Sequence, residues 1–256
     1  MVNIKIINVI IPTIFISYFV VLMGCKPSAS KVAIMRAQKA AQDSIEYLQA
    51  QNTLAYSDSL LQSLLPIADE LLKRFRYIKD ERYEDHGQYV HKLLNTEHNT
   101  SRNFLQSYVS DAYEVVLKSY YYGSRSINQQ VLQLSCADMH IKKEGVNHTF
   151  QAEGWHEIMT IEGDEAIELL RYISNHNQER ILVTIKGDFS QTYYLQQAEK
   201  DALADTYHLG IVMRDINQLE RAIRISNLQI EKYQRRQDKK SQDVVLALVA
   251  TADCGV

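Results

Sequence analysis

Residues 131–141, Val-Leu-Gln-Leu-Ser-Cys-Ala-Asp-Met-His-Ile, decide the fold class. Leu132, Leu134 and Cys136 alternate with Gln133 and Ser135, and Met139 and Ile141 continue a strand. A period of two is the pattern of a half-buried β-strand. The same period recurs across residues 104–188. Tyr113, Val115 and Leu117 alternate with Glu114 and Lys118, and Trp155, Glu157, Met159 and Ile161 share a face, as do Ile181, Val183 and Ile185. Turn signals fall between these runs at Gly123-Ser124, Gly145 to Asn147, Gly163-Asp164 and Gly187-Asp188. One helix interrupts them over residues 164–175, with Asp164 as its N-cap candidate and Ile167, Leu170 and Ile173 facing inward. The expectation is a small, mainly antiparallel β module over residues 100–195.

On both sides the period changes. Residues 29–62 are rich in Ala, Gln, Lys, Glu and Leu and carry a thin stripe of Ile34, Ala41, Leu48 and Ala55, with Ile45 beside it. Over residues 58–79 the stripe widens to Leu61, Leu65, Ala68, Leu72 and Phe75, with Leu64, Leu71 and Ile78 as a second ridge. Pro66 is read there as a kink or a first turn. Residues 88–94 read as a short helix. The clearest periodicity lies in residues 196–238. Leu209, Ile216, Ile223 and Ile230 hold one heptad position and Val212, Leu219, Ser226 and Tyr233 the other. Such a narrow seam needs a partner, either the helix at 58–79 paired antiparallel or a second copy of the chain. The chain is therefore expected to be α+β: a β module flanked by long N- and C-terminal helices that form a coiled-coil or helix-hairpin stalk. A tail, residues 239–256, holds the apolar run Val244 to Ala250, too short to span a bilayer.

At the N-terminus, Lys5 is the single charge before an apolar run from Ile6 to Val21, which closes on Leu22-Met23-Gly24-Cys25. This ending resembles the lipobox of bacterial envelope lipoproteins, such as those of Bacteroidetes. The resemblance covers the leader alone. It implies that residues 1–24 are a signal peptide, that Cys25 receives diacylglycerol on its sulfur, and that the new amino terminus is acylated. Residues 25–99 would then carry the anchor and an N-terminal helical arm. The competing reading is an uncleaved membrane helix, against which Pro12 breaks the run near its middle. Lys26 is not the aspartate that retains lipoproteins at the inner membrane of enteric bacteria. By resemblance the address is the cell envelope, at the outer membrane facing the periplasm.

Charge excludes some functions and orients the arms. The chain has 28 Lys and Arg against 31 Asp and Glu; removal of Lys5 with the leader leaves 27 against 31, a net charge of −4. This is no electrostatic footprint for nucleic acid. Lys26, Lys31, Arg36 and Lys39 precede the first acid after the leader, Asp43. Lys232, Arg235, Arg236, Lys239 and Lys240 outnumber Glu231 and Asp238 on the other arm. An antiparallel pairing of the arms would bring both clusters to the anchor, where anionic headgroups would neutralise them. An ordinary solvated helix end accounts for the same residues equally well.

No motif nominates a catalytic residue, a cofactor or a metal; the one prosthetic group expected is the lipid on Cys25. His86, His91 and His98 lack ligand spacing and read as surface or loop-capping residues. Cys136 reads as a small buried hydrophobe, with a bridge to Cys254 as the other option. Asp138 and His140 share a strand face without a nucleophile motif beside them. Tyr120 and Tyr122 can share a side and offer a stacking platform, or simply fill a sheet face. Gly210 marks close packing or a hinge within the last helix. The leading expectation is a non-enzymatic interaction protein that presents a β head to an envelope partner or to a second copy of itself. The alternative is a periplasmic glycan- or peptide-binding protein or hydrolase.

Overall fold

The computed structural model describes residues 29–79, 87–94, 102–151 and 154–252. Cys25, Lys26, His86, His98 and Cys254 lie outside them. The chain divides into two units, Met1–Ile45 and Glu46–Val256. In the first, the described residues form the opening of a helix whose apolar side chains face solvent, Ile34 and Met35 among them.

Helix α1 spans Ala29–Leu72 as one element and runs through Pro66. Pro66 and Gln62, whose carbonyl the proline leaves without a helical partner, are both exposed, so water can take that bond. The protected side of α1 within the second unit follows Tyr47, Ala50, Leu54, Ser57, Leu61, Leu64, Ala68 and Leu71, alternately three and four apart. This corrects the expected stripe: Leu48 is 57% exposed and Ala55 is exposed too. The seam is built partly from small residues, so a count of large apolar side chains picked the wrong face. Helix α3, Gln197–Ala252, keeps the seam read from the sequence: Leu209, Val212, Ile216, Leu219, Ile223, Ser226, Ile230 and Tyr233 are all protected, whereas Ile225 and Leu228 are exposed. It continues well beyond residue 238 and takes in most of the expected tail.

The β region starts earlier than expected. Strands β1 (Phe75–Lys79) and β2 (Gly87–His91) form an antiparallel pair where the sequence reading placed helix. Phe75 and Ile78, three apart, repeat at a helical spacing, and a run of five is too short to show a period of two. The cross-strand Tyr77 and Tyr89 rings, with centroids 5.2 Å apart, belong to the strand reading. There follow β3 (Phe104–Ser110), β4 (Val115–Gly123), β5 (Val131–Cys136), β6 (Met139–Glu144), β7 (Val146–Gln151), β8 (Trp155–Glu162), helix α2 (Gly163–Asn175), β9 (Leu182–Lys186) and β10 (Ser190–Tyr194).

Two antiparallel sheets result, in the orders β1-β2-β3-β4-β8-β7 and β10-β9-β5-β6. The chain passes from one to the other at Gly145, between β6 and β7. A Cβ there would sit 2.6 Å from the Thr160 carbonyl oxygen, so only glycine allows the corner. The core is filled by Leu105, Leu117, Leu132, Leu134, Met159, Ile161, Val183 and Ile185 from the strands, and by Leu169, Leu170 and Ile173 from α2. Of these, Leu117, Leu132, Leu134, Met159, Ile161, Val183 and Ile185 are inward positions that the period of two assigns. α2 packs on β4, β6, β8 and α3, and α3 packs on β2, β3 and β4. Gly210 lets α3 approach: an added Cβ would lie 2.3 Å from Val115 Cγ2. The N-cap of α2 is Glu162, not Asp164; Asp164 lies in the first turn and pairs with Arg214 at 2.7 Å.

Candidate functional site

Four places gather polar chemistry. The first joins the helices to the sheet. Asp205 on α3 accepts two hydrogen bonds from Arg74, at 2.8 and 3.0 Å, just past the end of α1. It also lies 3.1 Å from His91 Nε2 on β2. His91 Nδ1 accepts the Leu93 N–H, so its proton sits on Nε2 and points at Asp205. His91 is buried, edge-on to Phe75, and burial lowers its pKa against the pull of Asp205. Of the two readings of this histidine, surface or loop-capping, the first is corrected by its burial; the second holds, since His91 caps the turn after β2 and also clasps Asp205.

The second is Glu157 on β8, fully buried. Its Oε1 accepts hydrogen bonds from the Ser126 hydroxyl and the Ile127 and Asn128 N–H groups, at 2.7, 2.7 and 3.0 Å. Its Oε2 accepts the Gln129 N–H at 2.8 Å and the Asn147 amide at 2.9 Å. Burial pushes this carboxyl up, but the bonds from Gln129, Ser126, Asn128 and Asn147 outweigh it and hold the pKa below the ordinary value. Glu157 therefore shapes the β4–β5 connection as an ionised group. His156, its neighbour, points to the opposite face and meets the Tyr122 ring at 4.8 Å, as strand alternation requires.

The third is a trio at one end of β5. Cys136 Sγ donates to Glu179 Oε2 at 2.7 Å, and His176 Nδ1 lies 3.0 Å from Glu179 Oε1. Their ligating atoms all lie within 4.8 Å of one another. Cys136 is a free, buried thiol, and its expected alternative partner Cys254 lies outside the described residues. The hydrogen bond to Glu179, then burial, raises the thiol pKa; the bonds from Cys136 and His176 lower that of Glu179. The sequence reading missed this trio because Cys136 and His176-x-x-Glu179 are far apart in the chain and match no ligand motif.

The fourth is the basic stretch of α3, where Leu228, Glu231, Lys232, Arg235, Arg236 and Lys239 line a shallow groove. Arg235, Arg236, Lys239 and Lys240 are exposed there, as are Lys31, Arg36 and Lys39 in the first unit. No helix among the described residues is long and apolar enough to cross a membrane.

Other candidates are not brought together. Asp138 lies in the Ala137-Asp138 turn rather than on a strand, and both it and His140 are exposed. Tyr120 and Tyr122 do share a face. Tyr120 stacks on Phe104 with centroids 4.3 Å apart and donates to Gln106, and burial pushes its pKa up to about 12. Its ring is engaged within the sheet. No family model, no curated protein and no solved structure matches the chain.

Proposed function

We propose that the chain is a lipid-anchored protein of the bacterial cell envelope, in which two paired helices form a stalk and carry a β head to a protein partner. Cys25 bears the lipid, on the residues of the lipobox. Two or three acyl chains give stable attachment where one does not, since each buried methylene contributes about 0.8 kcal/mol.

The observation that carries the stalk is the stack of Tyr47 on Tyr233, with ring centroids 4.4 Å apart. At the other end of the same pair of helices stands the Arg74–Asp205 bridge. From Tyr47 to Arg74 the chain advances 27 residues, and from Asp205 to Tyr233 it advances 28, and these near-equal lengths support one antiparallel register. At about 1.5 Å per residue the stretch is about 40 Å long. Such a register would set Ala50 opposite Ile230, Leu54 opposite Ser226, Ser57 opposite Ile223 and Ala68 opposite Val212, residues that are all protected from solvent. This favours a hairpin within one chain over a seam shared between copies.

Attachment through Cys25 would place Lys26, Lys31, Arg36 and Lys39 within the first residues after the lipid. Arg235, Arg236, Lys239 and Lys240 follow Tyr233, whose stacking partner Tyr47 is 22 residues from Cys25 in sequence. Both clusters suit anionic headgroups. Exposure of Asp138 and His140 favours an interaction head over a hydrolytic one. The periplasmic face of the outer membrane remains the proposed address.

Crosslinking in intact cells followed by capture of the tagged full chain tests the role. The expected result is a stoichiometric envelope protein bound through residues 75–194, lost when the head is replaced and kept when α1 and α3 are shortened by matched heptads. A head that binds cell-wall glycan or peptide and captures no protein contradicts the role.

A further inference from the structure

We propose that Cys136, His176 and Glu179 form a zinc-type metal site at the junction of β5 with the turn after α2. This inference is independent of the anchor and the stalk.

Sulfur, imidazole nitrogen and carboxylate oxygen are the three ligand classes that zinc takes. Zinc bonds of about 2.0–2.3 Å in a tetrahedron put ligand atoms about 3.3–3.8 Å apart. With one atom taken from each residue, the ligating atoms all lie within 4.8 Å of one another, and the two hydrogen bonds to Glu179, 2.7 Å from Sγ to Oε2 and 3.0 Å from Nδ1 to Oε1, are shorter than that range. The Glu179 carboxylate, half exposed, must swing outward to make room for a central ion. Glu179 is half exposed whereas His176 and Cys136 are largely shielded, so the fourth position faces water on the Glu179 side.

The scaffold around the trio is built rather than incidental. Cys136 closes β5, paired with Met139 across the tight turn. His176 is the C-cap of α2, its N–H shared between the Tyr172 and Ile173 carbonyls, and the Tyr172 ring lies 4.6 Å from its own. The Glu179 N–H bonds to the His176 carbonyl, so the two ligands belong to one turn. Buried Lys200 on α3 ties down that turn through the carbonyls of Asn177 and Glu179. Its positive charge opposes a cation but favours the thiolate, and the Glu179 carboxylate offsets it.

On binding, the ion replaces the thiol proton, which leaves to the buffer. Glu179 gives up its two hydrogen bonds, and His176 ligates through Nδ1 with its proton on Nε2. No electrons move.

The test is titration of chelator-treated full-length protein with Co²⁺, read by absorbance, with Zn²⁺ as competitor. The expected result is a sulfur-to-cobalt charge-transfer band, saturating at one ion per chain and displaced by Zn²⁺. Cys136→Ser should abolish the band, and Glu179→Gln should weaken binding about 10–100-fold, at least the loss seen for outer-shell changes. If Cys136→Ser fails to fold, His176→Asn serves: it keeps the thiol and should lose binding to a similar extent with unchanged circular dichroism. A folded protein without the band overturns the site. So does a band that survives Cys136→Ser, which would belong to Cys25 or Cys254.

Discussion

Tyr47 on α1 lies against Tyr233 on α3 with the ring planes 24° apart, and the Gln51 amide donates to the Tyr47 hydroxyl from one turn on. The stack ties α1 to α3 at that point. A stacked aromatic pair contributes about 0.5–1.5 kcal/mol beyond its buried area. Tyr47→Ala and Tyr233→Ala should therefore each destabilise the chain, and the double variant should cost less than their sum by about 1 kcal/mol. Urea unfolding of the four proteins measures the difference, and light scattering should show one chain per particle.

Gly210 separates local propensity from packing. In an isolated helix Gly→Ala stabilises by about 1 kcal/mol. Here the new methyl would meet Val115 at 2.3 Å. Gly210→Ala should destabilise by about 1–3 kcal/mol, the usual cost of overpacking. Adding Val115→Ala should recover much of that loss. Thermal melts of the single and double variants decide it; a more stable Gly210→Ala would mean that α3 does not press on β4 at that point.

The fold was legible where burial alternated without ambiguity. Leu132, Leu134 and Cys136, and then Ile181, Val183 and Ile185, give the inward face of one sheet from spacing alone, and Ile216, Ile223 and Ile230 give the seam of α3. Phe75 and Ile78 misled because their strand is too short to show its period. Leu48 misled because the protected face of α1 turns on Ala50 and Ser57, small residues that a search for large apolar side chains passes over. Glu157 stood in the right strand on the right face, but nothing in Trp-His-Glu tells that five donors converge on it, four from the β4–β5 connection and Asn147 from β7. The Cys136, His176 and Glu179 trio has the same cause: contacts made by topology leave no local spacing to read.

Glu157 contributes to the acid sensitivity of the head. Its folded pKa lies below the ordinary value, so its contribution is complete above the unfolded pKa of about 4.3 and is lost as pH falls through the folded one. Glu157→Gln turns two of the donors against an amide NH₂ and should cost about 3 kcal/mol at neutral pH, as for a broken buried charge network. The variant should also lose part of the wild-type dependence of stability on pH below about 4.3. Denaturant midpoints measured from pH 3 to 7 test both.

Charge at the foot of the helices is open to direct measurement. Protein lacking residues 1–25 should bind vesicles containing anionic lipid more tightly than neutral ones. Replacing Arg235, Arg236, Lys239 and Lys240 with Gln should weaken that binding by about 1 kcal/mol per residue at low salt, and less as salt rises. Equal, weak binding to both vesicle types would assign these residues to solvent alone.

The central claim is attachment through Cys25, and intact-protein mass spectrometry after feeding cells a clickable fatty acid tests it most directly. The expected product starts at Cys25, carries the label, partitions with membranes, and becomes unlabelled and unprocessed when Cys25→Ser is introduced. A chain that keeps residues 1–24 and takes up no label in its native host would contradict the anchor and, with it, the proposed address and partner.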